Sequence, residues 1–112
     1  MHVVWPKLEA LVEKGYTKSI GLSNFSVQMI LDLLTYCKIK PVMNQVELHP
    51  FLKQSELVRF LKDFDILPVA FCPLAKPVAK TETRDPRDGV CPDLREAENI
   101  KKIAEKYKKS NL

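Results

Sequence analysis

The feature that most constrains this chain is a regular alternation of amphipathic helices and short apolar strands. Helices are recognised by apolar residues on one face, and strands by short apolar runs between turn signals. In chain order the predicted elements are helix 5–14, strand 19–22, helix 27–37, strand 41–48, helix 56–64, strand 66–71 and helix 94–107. Alternation of this kind favours parallel strands joined by right-handed crossovers. We therefore predict an α/β fold with about three parallel strands and four helices.

Polar residues at the predicted helix ends support these boundaries. Ser26 and Ser55 stand immediately before helical apolar patterns and are predicted N-caps. Asp93 and Glu96 have the spacing of a capping box before the last helix. The stretch 72–92 is rich in Pro, Asp and Thr and is predicted to be a long loop.

Length and composition exclude several classes of protein. A chain of 112 residues makes one domain at most. It has no apolar run approaching the ~20 residues of a membrane span, and its N-terminus lacks the apolar region of a signal peptide. The 3 cysteines form neither a CxxC pair nor a zinc pattern. We therefore expect free thiols, no metal site, no membrane association and a cytoplasmic location.

The net charge of +4 raises the question of nucleic-acid binding. Much of the positive charge lies on the last predicted helix, on Lys101, Lys102, Lys106, Lys108 and Lys109. Lysines on one helix are usually a solvated face, and the aromatic residues that single-strand binders place among their basic residues are missing. We expect no nucleic-acid partner.

Polar side chains at the ends of the predicted strands point to a ligand. Ser23 and Asn24 follow the first strand, the second carries Asn44 and Gln45, and the third ends at Phe71. Because parallel strands place their carboxyl ends on one rim, these residues are expected to lie together. A buried amide must bond to backbone, to another amide or to a ligand. Amides around one aromatic face suit a planar ligand bearing a carboxamide, such as nicotinamide, and no dinucleotide-binding GxGxxG or P-loop is present.

Three stretches then make the sequence recognisable. "GYTKSIGLSNFS", "KPVMNQVELHPFL" and "PVAFCPLAKP" resemble three successive motifs of the aldo-keto reductase family, in order, within a match that runs from about Trp5 to Leu112. The family fold is a (β/α)8 TIM barrel of ~250 residues. The resemblance implies an NADPH-dependent oxidoreductase that reduces aldehydes and ketones to alcohols. It also implies that residues 1–112 are a partial domain, incomplete at both ends and holding strands five to seven.

The resemblance assigns cofactor-binding roles to Ser23, Asn24, Gln45, Phe71, Cys72 and Leu74. Ser23, Asn24 and Gln45 would contact the nicotinamide carboxamide. Phe71 would stack on the nicotinamide ring, where the family often has Tyr. Cys72 replaces a common Ser near the pyrophosphate, and Leu74 would line the phosphate channel through its backbone.

No residue of this chain matches the family's catalytic Asp, Tyr, Lys and His. His2 lies too close to the first helix to match the catalytic His, and His49 stands at a different family position. Two interpretations remain open: a fragment of a working reductase with a small carbonyl substrate, or a truncated, non-catalytic relative that serves as a binding or structural component. In either case three strands alone would leave open sheet edges, through which we expect self-association.

Overall fold

A computed structural model describes residues 1–75 and 93–110. The elements follow the predicted alternation, and their bounds are helix α1 Val4–Glu13, strand β1 Leu22–Ser23, helix α2 Val27–Leu34, strand β2 Met43–Glu47, helix α3 Ser55–Asp63, strand β3 Leu67–Phe71, a 3₁₀ turn Leu94–Glu96 and helix α4 Glu98–Tyr107. Most of the predicted loop over 72–92 falls outside the described residues.

The contacts within the chain divide it into two compact units. The first comprises Met1–Leu48 and Gln54–Phe71, and it contains the sheet and helices α1 to α3. The second comprises His49–Lys53 and the described part of Cys72–Leu112, and it contains α4. That residues 1–112 form one incomplete domain stays a prediction.

The sheet has the order β1-β2-β3 in the described residues, and both strand pairs are parallel. Leu22 of β1 is in register with Asn44 of β2, which is in register with Pro68 of β3. Consecutive parallel neighbours joined by helices are the βαβ arrangement that alternation predicts. The predicted α/β class is therefore confirmed.

Helices α1 to α3 cover one face of this sheet. Leu22 of β1 is buried, as are Asn44 and Val46 of β2. The residues that alternate with Asn44 and Val46 along β2 are only partly buried: Met43, Gln45 and Glu47. Successive side chains of a strand point to opposite faces, so the buried set marks the helix-covered face. The hydrophobic core against that face consists of Trp5, Ile20, Leu22, Ile30, Leu33, Leu61 and Ile66.

The ends of the helices agree with the sequence only in part. Ser26 is the predicted N-cap of α2, and its hydroxyl accepts a hydrogen bond from the Met29 N–H at 3.4 Å. The N-cap predicted at Ser55 is wrong, because α3 already begins at Ser55 and its N-cap, Gln54, makes no side-chain cap bond. The capping box is also wrong: Asp93 accepts from the Arg95 N–H within the 3₁₀ turn.

The first strand is shorter and later than predicted. Only Leu22 and Ser23 have strand geometry, although the Ile20 carbonyl still accepts a hydrogen bond from the Val42 N–H at 3.0 Å. Strand pairing uses backbone N–H and C=O groups, so a polar residue such as Ser23 can pair as an apolar one does. None of the helices in residues 1–75 and 93–110 has the length and apolar character needed to span a membrane.

Candidate functional site

The chain turns sharply where it leaves β1. Asn24 follows the last strand residue, Ser23, and has a φ of 59° in the left-handed region. Asn is among the few residues other than Gly that visit this region without large cost. The Asn24 N–H donates to the Gln45 carbonyl at 2.9 Å, so the β1–β2 ladder continues one residue beyond the strand. The turn therefore starts from a fixed point on the sheet.

Three of the predicted site residues share one face of the sheet. Ser23 is in register with Gln45, and Phe71 is in register with Glu47, two residues further along the same strand as Gln45. By strand alternation these side chains lie opposite the buried face that carries Leu22 and Val46. Ser23 is exposed, and Gln45 and Phe71 are partly buried. The structure thus brings Ser23, Gln45 and Phe71 together at the carboxyl ends of the strands, next to the turn at Asn24.

The three amides predicted at this rim differ in their bonding. Asn44 is completely buried at 0% exposure, and both ends of its amide bond to the backbone of Phe25. Within residues 1–75 and 93–110, the side-chain amides of Asn24 and Gln45 make no hydrogen bond. Within the described residues two amides are therefore free to bond a ligand, and the third is already bonded to the protein backbone.

The sequence indicated that Asn44 needs hydrogen-bond partners but left their identity open. Asn44 and Gln45 are adjacent, and only the strand register decides which of them faces the helices. Of the partners that a buried amide can have, the structure contains backbone groups, those of Phe25. The structural part of Asn44 could not be predicted from the sequence, where its only signal is an amide within an apolar run.

Cys72 and Leu74 lie in the second unit and are described on their own. Cys72 directly follows Phe71 in the chain and has a φ of 50°. Its carbonyl accepts a hydrogen bond from the Ala75 N–H at 2.8 Å, which closes a tight turn over 72–75. Cys72 is a partly buried free thiol, and Leu74 is 49% exposed.

The first-unit residues of the site are all uncharged. Ser23, Asn24, Gln45 and Phe71 offer a hydroxyl, two amides and an aromatic ring, so these residues can recognise a ligand by hydrogen bonding and stacking. Among the residues that the structure describes, no group of three His, Cys, Asp or Glu side chains is placed to hold a metal ion.

His2 lies in a different setting, at the start of α1. Its Nε2 is 3.2 Å from an Asp32 carboxylate oxygen, and its ring stacks on Tyr36 with centroids 4.0 Å apart. It therefore contacts the second half of α2.

Comparison with known proteins gives one consistent family. The family model of the aldo/keto reductases matches residues 1–111. Aldose reductase C of Dictyostelium discoideum is 47% identical over 106 residues, which are 95% of this chain and 29% of that protein. An NADH-dependent D-xylose reductase of Candida parapsilosis is 42% identical over 106 residues, covering 95% of this chain and 32% of that protein.

A solved structure has the same fold over nearly the whole chain. An aldo-keto reductase of Bombyx mori in complex with NADP superimposes with a TM-score of 0.82 at 30% identity, covering 96% of this chain and 33% of that one. The three parallel strands and their helices therefore correspond to part of a (β/α)8 barrel. The chain spans about a third of the length of the relatives that it matches.

Proposed function

This chain belongs to the aldo/keto reductase family, and on that premise we propose that it forms part of an NADPH-dependent oxidoreductase that reduces aldehydes or ketones to alcohols in the cytoplasm. Its part in the proposal is to hold the nicotinamide end of the cofactor. NADPH supplies a hydride when bound. The residues of this chain bind and orient it.

The observation that carries the proposal is a pair of unbonded amides, one on β2 and one in the turn that follows β1. Asn24 and Gln45 make no side-chain hydrogen bond within the described residues, and the backbones of these two residues are joined at 2.9 Å. A carboxamide has both donor and acceptor atoms, which two neighbouring amides can match. Ser23, in register with Gln45, adds a hydroxyl that can donate or accept. The residues present therefore fit a nicotinamide carboxamide.

The aromatic ring of Phe71 supports the same ligand. It lies on the same face as Gln45 by strand alternation and is partly buried, so one ring face can receive a flat heterocycle. Cys72 and Leu74 are proposed to line the pyrophosphate channel, on the resemblance alone.

The proton that a reduced carbonyl oxygen needs must come from outside the residues assigned here. Proton donation requires an acid within hydrogen-bond reach of that oxygen. None of Ser23, Asn24, Gln45 and Phe71 is such an acid at neutral pH. The proposal therefore assigns cofactor binding to this chain and the acid-base step to another part of the barrel.

The alternative function is a non-catalytic relative that binds or scaffolds without turnover. Neither function allows the 112-residue chain alone to oxidise NADPH with an aromatic aldehyde above a heated control, and such turnover would contradict both the alternative and the assignment of the acid-base step to another part of the barrel.

Fluorescence titration with NADPH tests the proposal. Asn24→Ala and Gln45→Ala are each expected to weaken binding by about 1–3 kcal/mol, because a ligand amide then loses its partner. Gln28→Ala, which removes an exposed amide from α2, is the matched control and should bind like the wild type. Equal affinity of all four proteins would exclude a contact between these amides and the cofactor.

A further inference from the structure

Asn44 forms a two-point clamp on the backbone of Phe25. Its Oδ1 accepts a hydrogen bond from the Phe25 N–H at 3.3 Å, and its Nδ2 donates to the Phe25 carbonyl at 2.9 Å. The side chain lies on the helix-covered face and is completely buried. An amide used in this way mimics the pairing of a neighbouring strand at a point where β1 has ended.

The clamped residue directly follows the turn of the candidate site. Asn24 has its N–H fixed to β2 through the Gln45 carbonyl, and Phe25 is fixed to β2 through the Asn44 side chain. The left-handed φ of 59° at Asn24 therefore lies between two anchors on the same strand. A conformation of this kind persists when the surrounding structure determines it.

We propose that Asn44 is a positioning residue, whose amide holds the turn after β1 in the conformation that presents Ser23 and Asn24 to the nicotinamide carboxamide. The effect of Asn44 on cofactor binding rests on the proposed function. The two hydrogen bonds of the clamp do not, because they join residues of the chain itself. Asn44 lies on the helix-covered face, opposite the face that carries Gln45, and acts through the backbone of Phe25.

The chemistry of the clamp defines the useful substitutions. Asp at position 44 keeps an acceptor for the Phe25 N–H, but its second oxygen faces the Phe25 carbonyl and repels it unless the carboxyl is protonated. Leu has a similar shape and bonds neither group. The Asn44→Asp variant should therefore regain the clamp at acidic pH, since a buried carboxyl is protonated more readily than an exposed one.

Amide hydrogen exchange in the ¹⁵N-labelled chain measures the clamp directly. At neutral pH, Asn44→Asp and Asn44→Leu are expected to speed exchange of the Phe25 amide by about tenfold more than they speed exchange of the core amides of Ile30 and Leu33. Tenfold is the factor that corresponds to one ordinary hydrogen bond. At about pH 4.5, Asn44→Asp should return to the wild-type rate, measured at the same pH, whereas Asn44→Leu should not.

Glu9→Ala is the matched control. Glu9 is also buried, and one of its carboxylate oxygens accepts backbone hydrogen bonds from Lys38 and Ile39. Its removal should speed exchange of the Lys38 and Ile39 amides. Exchange of the Phe25 amide should speed up only by the same factor as exchange of the core amides. An Asn44 variant in which Phe25 and the core amides change by the same factor would overturn the proposal, as would a loss of the whole fold that is not rescued at acidic pH in Asn44→Asp.

Reduced nicotinamide mononucleotide provides the second readout. In the wild type it should shift the amide resonances of Ser23 and Asn24, and in Asn44→Leu these shifts should fall by about tenfold at equal ligand concentration. If the nucleotide shifts no amide resonance of the wild-type chain, the result counts against the proposed function. The exchange data would still show whether Asn44 holds the turn after β1. Equal responses of wild type and Asn44→Leu would show that the turn needs no clamp.

Discussion

Glu9 is a buried carboxylate that stabilises a loop far along the chain. It is 4% exposed, and a single carboxylate oxygen accepts the N–H groups of Lys38 and Ile39 at 2.7 and 2.9 Å. The Trp5 Nε1 donates to the Ile39 carbonyl at 3.1 Å, so two residues of α1 hold the same loop. Hydrogen bonds to a charged acceptor are stronger than neutral ones, and a buried N–H that loses its partner is costly.

Glu9→Ala should therefore lower the free energy of unfolding by about 2–4 kcal/mol, measured by urea denaturation. Glu13, exposed on the same helix, is the matched site, and Glu13→Ala should stay within about 0.5 kcal/mol of the wild type. A Glu9→Ala variant as stable as Glu13→Ala would mean that water replaces the carboxylate at no cost.

The sequence predicts polar residues at the ends of the strands, but it does not predict which of them bond to the protein and which stay unbonded. Ser23, Asn24, Gln45 and Phe71 follow from strand ends and from the family resemblance. The difference between Asn44 and Gln45 depends on which face of β2 the helices cover, and one residue of register would exchange them. The burial of Glu9 could not be predicted, because a carboxylate in a helix is ordinarily exposed and its partners are about thirty positions away.

Helix α2 depends on a cap that helix α3 lacks. The Ser26 hydroxyl accepts from the Met29 N–H, whereas Ser55 already has helical geometry and caps nothing. Ser26→Ala should lower the free energy of unfolding by about 1 kcal/mol, and Ser55→Ala should change it by less than about 0.5 kcal/mol, both measured by thermal and urea unfolding. Equal losses in the two variants would contradict the difference in capping.

Elements of this chain could be predicted in type and order, whereas their ends could not. The apolar spacing in 27–34 is strong enough to mark α2, and Ile30 and Leu33 are buried as expected. Ser55 and Asp93 carry the same local signals as Ser26, yet Gln54 takes a left-handed φ of 43° before α3 and Asp93 bonds within a 3₁₀ turn. A cap depends on backbone conformation, which the residue type favours without fixing.

The outer edges of the sheet differ in their hydrogen-bonding capacity. The Leu67 N–H bonds to the Val42 carbonyl at 2.9 Å, so Pro68 and Ala70 present their backbone groups to the outer edge of β3. Proline has no N–H, which makes this edge a poorer template for another strand. On β1 the same alternation places both backbone groups of Gly21 and Ser23 at the outer edge. In the described residues neither edge is paired with another strand.

We therefore expect the 112-residue chain to self-associate in isolation. Leu67, at the start of the edge strand β3, is 63% exposed and adds apolar surface beside that open edge. Size-exclusion chromatography with light scattering should give a mass above the monomer, and Leu67→Lys should lower it. Gln28→Lys, which adds the same charge at an exposed polar site on helix α2, should not. A wild-type chain that is monomeric at all concentrations would contradict this expectation.

The central claim, that this chain holds the nicotinamide end of NADPH, is tested most directly by saturation-transfer NMR on the wild-type chain. Ser23, Gln45 and Phe71 lie at or near the carboxyl ends of β1, β2 and β3, and together with Asn24 they are proposed to hold the carboxamide and the ring. The resemblance assigns no residue of this chain to the adenosine 2′-phosphate. Saturation should therefore pass from the protein mainly to the nicotinamide protons of NADPH and only weakly to the adenine protons. Equal saturation of both rings, stronger saturation of adenine, or no transfer at all would contradict the assignment of Ser23, Asn24, Gln45 and Phe71 to the nicotinamide.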